Sequence, residues 1–508
     1  MFRYFCLALG VVVLVVSAFY VFPLPAHDAI FFMPAAWFYA NGKGFINPLV
    51  DLACQTDPQG LCRYCFHLPL FPWLVGTMAK IHPTVRSLFL AASIFSIVKL
   101  FLFDKLLAHH LRTSQNRYLI YALSLALLVA YSLPIEGRPE LLSSLLILYV
   151  YFLLSQADSK LPLTASTVIP LVIALGLLLS CHLTGYFFTI ILVSVALVLS
   201  TTTLKYKLLA VTAIASASML VGLAVIWLNP NGLDTIRGIV NHSPLSRRDE
   251  VTLVAEISAW LLFGTAPGIG LFIAIGAILY GQRVRDKILE INGSLDRTLA
   301  VAVVTAATAL VLVGVYKFIV VTPARMYDMA HFFPVLLIYI LSKLDFSRPM
   351  LRLALISTLG FALILPIRNT VLFFDYLADG KTYGNALTVM QERAGKEEKI
   401  VGSHDMWVLC DDLSKFREWQ EDTTAAPLFI QQSRRPLSDL LKNEGVLVYD
   451  WRTTDIRRVA SIRLTNRPQG YSFSVWQLRL QMPPRLAPPN RRAELKPSAT
   501  AHTVEVQQ

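Results

Sequence analysis

Charge is scarce in this 508-residue chain: only 15% of residues are Asp, Glu, Lys or Arg, where a soluble domain carries about 25%. Acidic residues are the scarcer kind, 33 against 45 basic ones, for a net charge of +12. The deficit excludes an ordinary water-soluble globular protein. The basic excess does not indicate a nucleic-acid partner, because Lys and Arg sit mostly in short connections between apolar runs, where membrane topology alone places them. No repeat of fixed period is present, and no matched pair of broken apolar runs, which weighs against an inverted-repeat transporter. Cys62-x-x-Cys65 has no second such pair beside it, which disfavours a zinc site.

What the chain has instead is apolar length. It is 55% hydrophobic, and the apolar residues gather in runs long enough to cross a bilayer. Spans are predicted at 4–22, 85–104, 118–134, 139–155, 162–181, 183–201, 208–228, 258–280, 299–321, 330–343 and 351–374. The first run follows Arg3, exceeds a signal-peptide core in length and lacks a clear small-x-small cleavage site, so it reads as a retained span. With the N-terminus in the cytoplasm, every cytoplasmic connection is short and basic, ending with Lys343, Arg348 and Arg352. Arg247-Arg248, in a longer outside loop, is the exception. The expected fold is therefore an all-α polytopic membrane protein of about 11 transmembrane helices, in a bacterial inner membrane. A small α/β extracytoplasmic (periplasmic) domain is expected at its C-terminal end. The expected divisions are 1–375 for the membrane part, including the outer loop 23–84, then 376–482 for the α/β domain and 483–508 for a disordered tail.

The outer loop holds two short apolar segments, 29–40 and 70–81, which read as interfacial helices with Trp37 and Trp73 at the headgroup boundary. Between them lie Cys54, Cys62 and Cys65. In an oxidising compartment a Cys54–Cys62 or a Cys62–Cys65 bridge is open to them.

Ionisable residues beside apolar spans are candidates for function. His27-Asp28 follows the first span, and Asp28 is either a general base or a helix cap. Glu136-Gly-Arg138-Pro-Glu140 is a tight turn between spans three and four. Arg138 suits a phosphate, or the turn is only salt-bridged. Lys317, Arg325, Tyr327 and His331 flank spans nine and ten, to bind a lipid phosphate or merely to snorkel. His182, between spans five and six, reads more readily as structural. His242 lies in the second outer loop with no further signal. All of these fall on the outer side under the predicted topology, and that co-location favours function.

The layout resembles the GT-C superfamily of membrane glycosyltransferases, in particular its protein O-mannosyltransferase-like and lipid A aminoarabinose-transferase-like bacterial members. The matching features are Pro25-Ala-His-Asp28 after the first span, Ala40 to Pro48, and His67-Leu-Pro-Leu-Phe-Pro-Trp-Leu. The Gly-Arg-Pro-Glu turn at 137–140 and Arg325-Met-Tyr327 also fit. The chain departs from the pattern with His27-Asp28-Ala29 where Asp-Glu is common, with Leu68-Pro69 where Pro-Pro is common, and with the Cys-rich insert. The resemblance implies a polyprenyl-phosphate sugar donor and a glycan, lipid or protein acceptor. It implies a single inverting displacement with Asp28 as catalytic residue and Arg138, Lys317, Arg325 and Tyr327 at the donor phosphate. No cofactor is certain, and a divalent metal ion is an open option that a lone Asp28 favours less than an Asp-Glu pair would. The alternatives are a flippase or transporter of lipid-linked glycans, an O-antigen ligase or polymerase, and a non-enzymatic scaffold.

Overall fold

The computed structural model describes residues 1–22, 27–50, 61–65, 67–110, 117–130, 132–156, 164–198, 204–232, 234–235, 382–394, 400–402, 406–418, 428–432, 445–451 and 473–478, with scattered helical positions between 334 and 378. Within them the chain is mostly helical. The helices are α1 (Phe2–Tyr20), α2 (Met33–Ala40), α3 (Leu70–Ala79), α4 (Val85–His110), α5 (Arg117–Ala130), α6 (Glu140–Gln156), α7 (Ala165–Cys181), α8 (Leu183–Val198), α9 (Leu204–Leu228) and α10 (Tyr383–Ala394). Four stretches, Phe2–Tyr20, Val85–Leu107, Tyr118–Glu136 and Leu209–Leu228, are long and apolar enough to cross a membrane by length and composition. The helices α1 and α4 to α9 coincide with the first seven apolar runs of the sequence. The last four runs lie outside the described residues apart from the scattered positions, as does 483–508.

Small side chains allow a close helix approach. A Cβ on Gly176 of α7 would lie 2.9 Å from the Ser218 carbonyl of α9, and one on Gly222 would lie 2.9 Å from the Gly176 carbonyl. Backbones this close gain dispersion contacts where no hydrophobic effect acts between helices. At the end of the bundle that holds residue 3, Arg3 of α1 donates from Nε to Asp104 of α4 at 2.6 Å, and Tyr121 of α5 donates to the same carboxylate. Asp104 is buried, and the two donors supply the partners that a charge in an apolar bundle needs.

At the other end, α1 stops in a paired closure: Val21 N–H bonds to Ala18 O and Phe22 N–H to Ser17 O. Val21 takes φ 50° there, a costly left-handed conformation for a β-branched residue that ends the helix sharply. The chain then enters a 3-10 turn, His27–Phe31, and α2. Every residue of α2 except Tyr39 is buried, Trp37 included. It packs on α3, where Trp73 Nε1 donates to the Tyr39 hydroxyl at 3.1 Å. The apolar run was too uniform to reveal which face met protein, and protein covers all of it but Tyr39.

The outer loop is tied to this end. Asn47, fully buried, donates to the Ile30 and Phe31 carbonyls at 2.8 and 3.2 Å. Asn231, beyond α9, donates to the Phe45 and Tyr64 carbonyls at 2.9 and 2.6 Å, and Arg63 pairs with Asp234 at 2.7 Å. The tail reaches the same end: Lys43 pairs with Asp412 at 3.0 Å, and Phe89 of α4 meets Trp407. Farther along, β1 (Ile400–Gly402), β2 (Phe416–Glu418), β3 (Leu428–Gln432), β4 (Gly445–Trp451) and β5 (Phe473–Leu478) form one mixed sheet in the order β2-β1-β3-β5-β4. The first three are parallel neighbours, and β5 runs antiparallel between β3 and β4.

Candidate active site

Three segments distant in sequence meet beyond the ends of α1 and α5 and at the start of α6. The 3-10 turn at 27–31 carries Asp28. A second 3-10 turn, Pro134–Glu136, is closed by Gly137 at φ 60°. A Cβ at Gly137 would lie 2.8 Å from Met33 Cγ and 3.0 Å from Ala29 Cβ. Only a residue without a side chain fits both that conformation and that contact. Gly137 thus brings the Arg138-Pro-Glu140 corner directly against the Asp28 segment.

Arg138 spans the junction. Its Nη1 donates to Asp28 Oδ2 at 2.7 Å and its Nη2 to Glu140 Oε1 at 2.6 Å. Arg138 and Glu140 are largely covered, with side chains 14% and 15% exposed, while Asp28 is open at 39%. The planar guanidinium suits this task, since it offers donors in a fixed fork that a lysine could not reproduce. Glu140 Oε2 is buried with no hydrogen-bond partner among the described residues. Asp28 does not cap α2, whose N-cap is Phe32. Its carboxylate is directed across to Arg138 instead.

His182 adjoins the group. It sits between α7 and α8 and caps the latter, with its Nδ1 accepting from Gly185 N–H at 3.2 Å. It is also close enough to Glu140 to attract it electrostatically. Cys181 Sγ contacts the Pro139 carbonyl at 3.6 Å, so the α7–α8 corner backs the Arg138 turn. The structure therefore unites Asp28, Arg138, Glu140 and His182. The side chain of His27 and all of His242, Lys317, Arg325, Tyr327 and His331 lie outside the described residues.

Two residues escaped the sequence reading. Lys99 lies beneath the Arg138 turn, with Nζ 2.9 Å from Ser144 Oγ of α6. Ser144 in turn donates to the Glu140 carbonyl at 2.7 Å. A single lysine in the apolar run between Arg86 and Asp104 was the available signal. Its partner depended on helix pairing, which periodicity does not reveal.

Among the described residues no three His, Cys, Asp or Glu side chains are grouped to hold a metal ion, and the Asp28 and Glu140 carboxylates already face a guanidinium. This donor set does not fit a divalent cation. Cys62 is disulfide-bonded, and its partner lies outside the described residues. Cys65 is a buried thiol and not a half-cystine, which excludes the Cys62–Cys65 bridge. Burial lifts the nearby Tyr64 hydroxyl well above its ordinary pKa, so it serves here as a neutral group.

No protein-family model and no curated protein sequence matches the chain. Among solved structures it is similar to ArnT from Cupriavidus metallidurans in the apo state, at 12% identity and a TM-score of 0.39, over 93% of this chain and 97% of that one. It is similar to the same protein bound to undecaprenyl phosphate, at 11% identity and a TM-score of 0.37, with the same coverage of 93% and 97%. The oligosaccharyltransferase of Archaeoglobus fulgidus, in complex with zinc and sulfate, is similar at 14% identity and a TM-score of 0.39, over 84% of this chain and 68% of that one. Both proteins are GT-C superfamily glycosyltransferases. At these identities and TM-scores the likeness by itself assigns neither activity nor ligand.

Proposed function

We propose that this chain is a membrane glycosyltransferase that moves a sugar from a polyprenyl-phosphate donor to an acceptor hydroxyl of a glycan, lipid or protein. The observation that carries the reading is the Asp28–Arg138–Glu140 junction: a partly open carboxylate at the end of a membrane-length helix, held by a covered arginine from another helix turn. A carboxylate so fixed and so accessible suits a general base, which must be in hydrogen-bond reach of the proton it takes. In this mechanism Asp28 accepts the proton of the acceptor hydroxyl as its oxygen attacks the anomeric carbon. The bond to the lipid phosphate breaks with inversion, and the phosphate leaves with the electron pair. Both terminal nitrogens of Arg138 face carboxylates, so its part is to hold Asp28. Charge developing on the phosphate falls to Lys317, Arg325 and Tyr327, since cations fixed where charge develops give the largest catalytic stabilisation.

The reading includes the membrane arrangement that the sequence suggests: about eleven spans, the N-terminus in the cytoplasm, and the reaction on the outer face of a bacterial inner membrane. It divides the chain at 375, with a periplasmic α/β domain at 376–482. A long prenyl chain partitions into the bilayer, so an enzyme that uses it places its site beside a leaflet. For a transporter, the deep charges would be the transport site, but Lys99 bonds Ser144 and Asp104 bonds Arg3 and Tyr121. The test is sugar transfer from radiolabelled polyprenyl-phosphate sugars in membranes enriched in this chain. Transfer above control membranes is expected, and its absence with every such donor would refute the reading.

A further inference from the structure

We propose that Lys99 is a positioning residue, which holds the Glu136–Glu140 turn, and through it Arg138 and Asp28, from inside the helix bundle. The inference rests on the reading of Asp28 and Arg138 as the reaction centre. Lys99 is 2% exposed, near the middle of the 26-residue α4. An ammonium there is costly, and such residues persist where they have a task and a partner. Its partner is not a neighbour on its own helix. Nζ reaches across to Ser144 Oγ at 2.9 Å.

Ser144 does not need that bond. Its hydroxyl already donates to the Glu140 carbonyl one turn earlier, at 2.7 Å, which satisfies a buried serine in a helix. The lysine adds a second link and extends it into a chain: Lys99 ammonium to Ser144 hydroxyl to Glu140 backbone. Glu140 is the first residue of α6, and its side chain holds one fork of Arg138. A second tie is electrostatic. Glu136, at the far side of the same turn, attracts Lys99. Lys99 therefore ties one end of the five-residue corner that presents Arg138 through Ser144 and attracts the other. Three carboxylates, Asp28, Glu136 and Glu140, gather at that corner, and Lys99 is a cation that faces Glu136 there.

The role is not that of a packing residue, because Met would fill the same space without the ammonium. Full-length protein with Lys99→Met, Lys99→Arg or Ser144→Ala is compared with wild type in two measurements. The first is the rate of Arg138 modification by phenylglyoxal, read by peptide mass spectrometry, which needs no substrate. The second is transfer kinetics. Lys99→Met is expected to speed Arg138 modification and to lower kcat by about 10²-fold, the scale of a small misplacement of a catalytic group. The acceptor KM and the folded fraction should stay near wild type. Lys99→Arg, which keeps the charge and its donors, should recover part of both, and Ser144→Ala should give a smaller effect of the same kind. Wild-type Arg138 modification in Lys99→Met overturns the proposal. So does a fall in activity that only tracks a loss of folded protein. If wild type itself transfers no sugar, the proposed function fails, while the Arg138 modification rates still decide the role of Lys99.

Discussion

Replacing Arg138 by Ala removes both bonds that join Asp28 to Glu140, at 2.7 and 2.6 Å. The two halves carry different weights. Asp28 is 39% exposed and water can take over much of its solvation, so its share is that of a surface pair, up to about 1 kcal/mol. Glu140 is only 15% exposed, and its Oε2 already has no hydrogen-bond partner among the described residues. Removing its cation leaves a covered charge, which costs about 3–5 kcal/mol. The nearby His182 offsets part of this, so the lower end, about 3 kcal/mol, is expected. Arg138→Lys should restore Glu140 but not both carboxylates, because an ammonium lacks the planar fork. It should be nearly as stable as wild type yet slower by about 10²-fold through a displaced Asp28. Denaturation in detergent micelles reads the first quantity, and sugar transfer reads the second. Asp28→Asn combined with Arg138→Lys should cost little more than Asp28→Asn alone, since both act on one group. Fully additive losses in turnover, or an Arg138→Ala protein as stable and active as wild type, would refute this account of the junction.

Gly137→Ala should destabilise by about 1–2 kcal/mol from its left-handed backbone alone, with more from the contact with Met33, and should slow transfer by lifting the Arg138 corner; unchanged denaturation and activity would contradict the geometry. Cys62 should resist alkylation until reductant is added, whereas Cys65 should label on unfolding without reductant; labelling of Cys62 in the native, unreduced protein would contradict the disulfide. Burial alone would raise the Asp412 carboxyl, but bonds from Ser414 and Lys43 outweigh it and hold the group below its ordinary value. The tie to Lys43 is therefore fully present above about pH 4 and is lost as pH falls through the lowered value. Protease cleavage near residue 412 should rise on acidification in wild type and be already raised, with less pH dependence, in Lys43→Ala.

The helices were legible in the sequence because their signal is strong and local. Apolar runs long enough to cross a bilayer gave α1 and α4 to α9 almost to their ends, and Pro, Gly and charge marked the Glu136–Glu140 corner. The grouping of Asp28, Arg138, Glu140 and His182 was legible only as membership of one face. Their contacts depend on which helices neighbour each other, and uniform apolar surfaces carry little of that information. Gly137 illustrates the point: the sequence marks it as a turn residue, but its contact with Met33 and Ala29 belongs to the packed structure. The partner of Lys99 was invisible for the same reason. The two carboxylates that Arg138 bonds were hidden for the same reason, because a sequence shows a cation and not the groups it faces.

The central claim is that the Asp28 carboxylate takes the acceptor proton. It is tested most directly by sugar transfer from a radiolabelled polyprenyl-phosphate donor, comparing wild type with Asp28→Asn at equal amounts of folded protein. Asn has nearly the same shape and can still accept from Arg138 through its amide oxygen, so the fold should persist. Turnover is predicted to fall by about 10²–10⁴-fold, the range expected for loss of a general base. Wild-type turnover in Asp28→Asn would contradict the account and return Asp28 to a structural role.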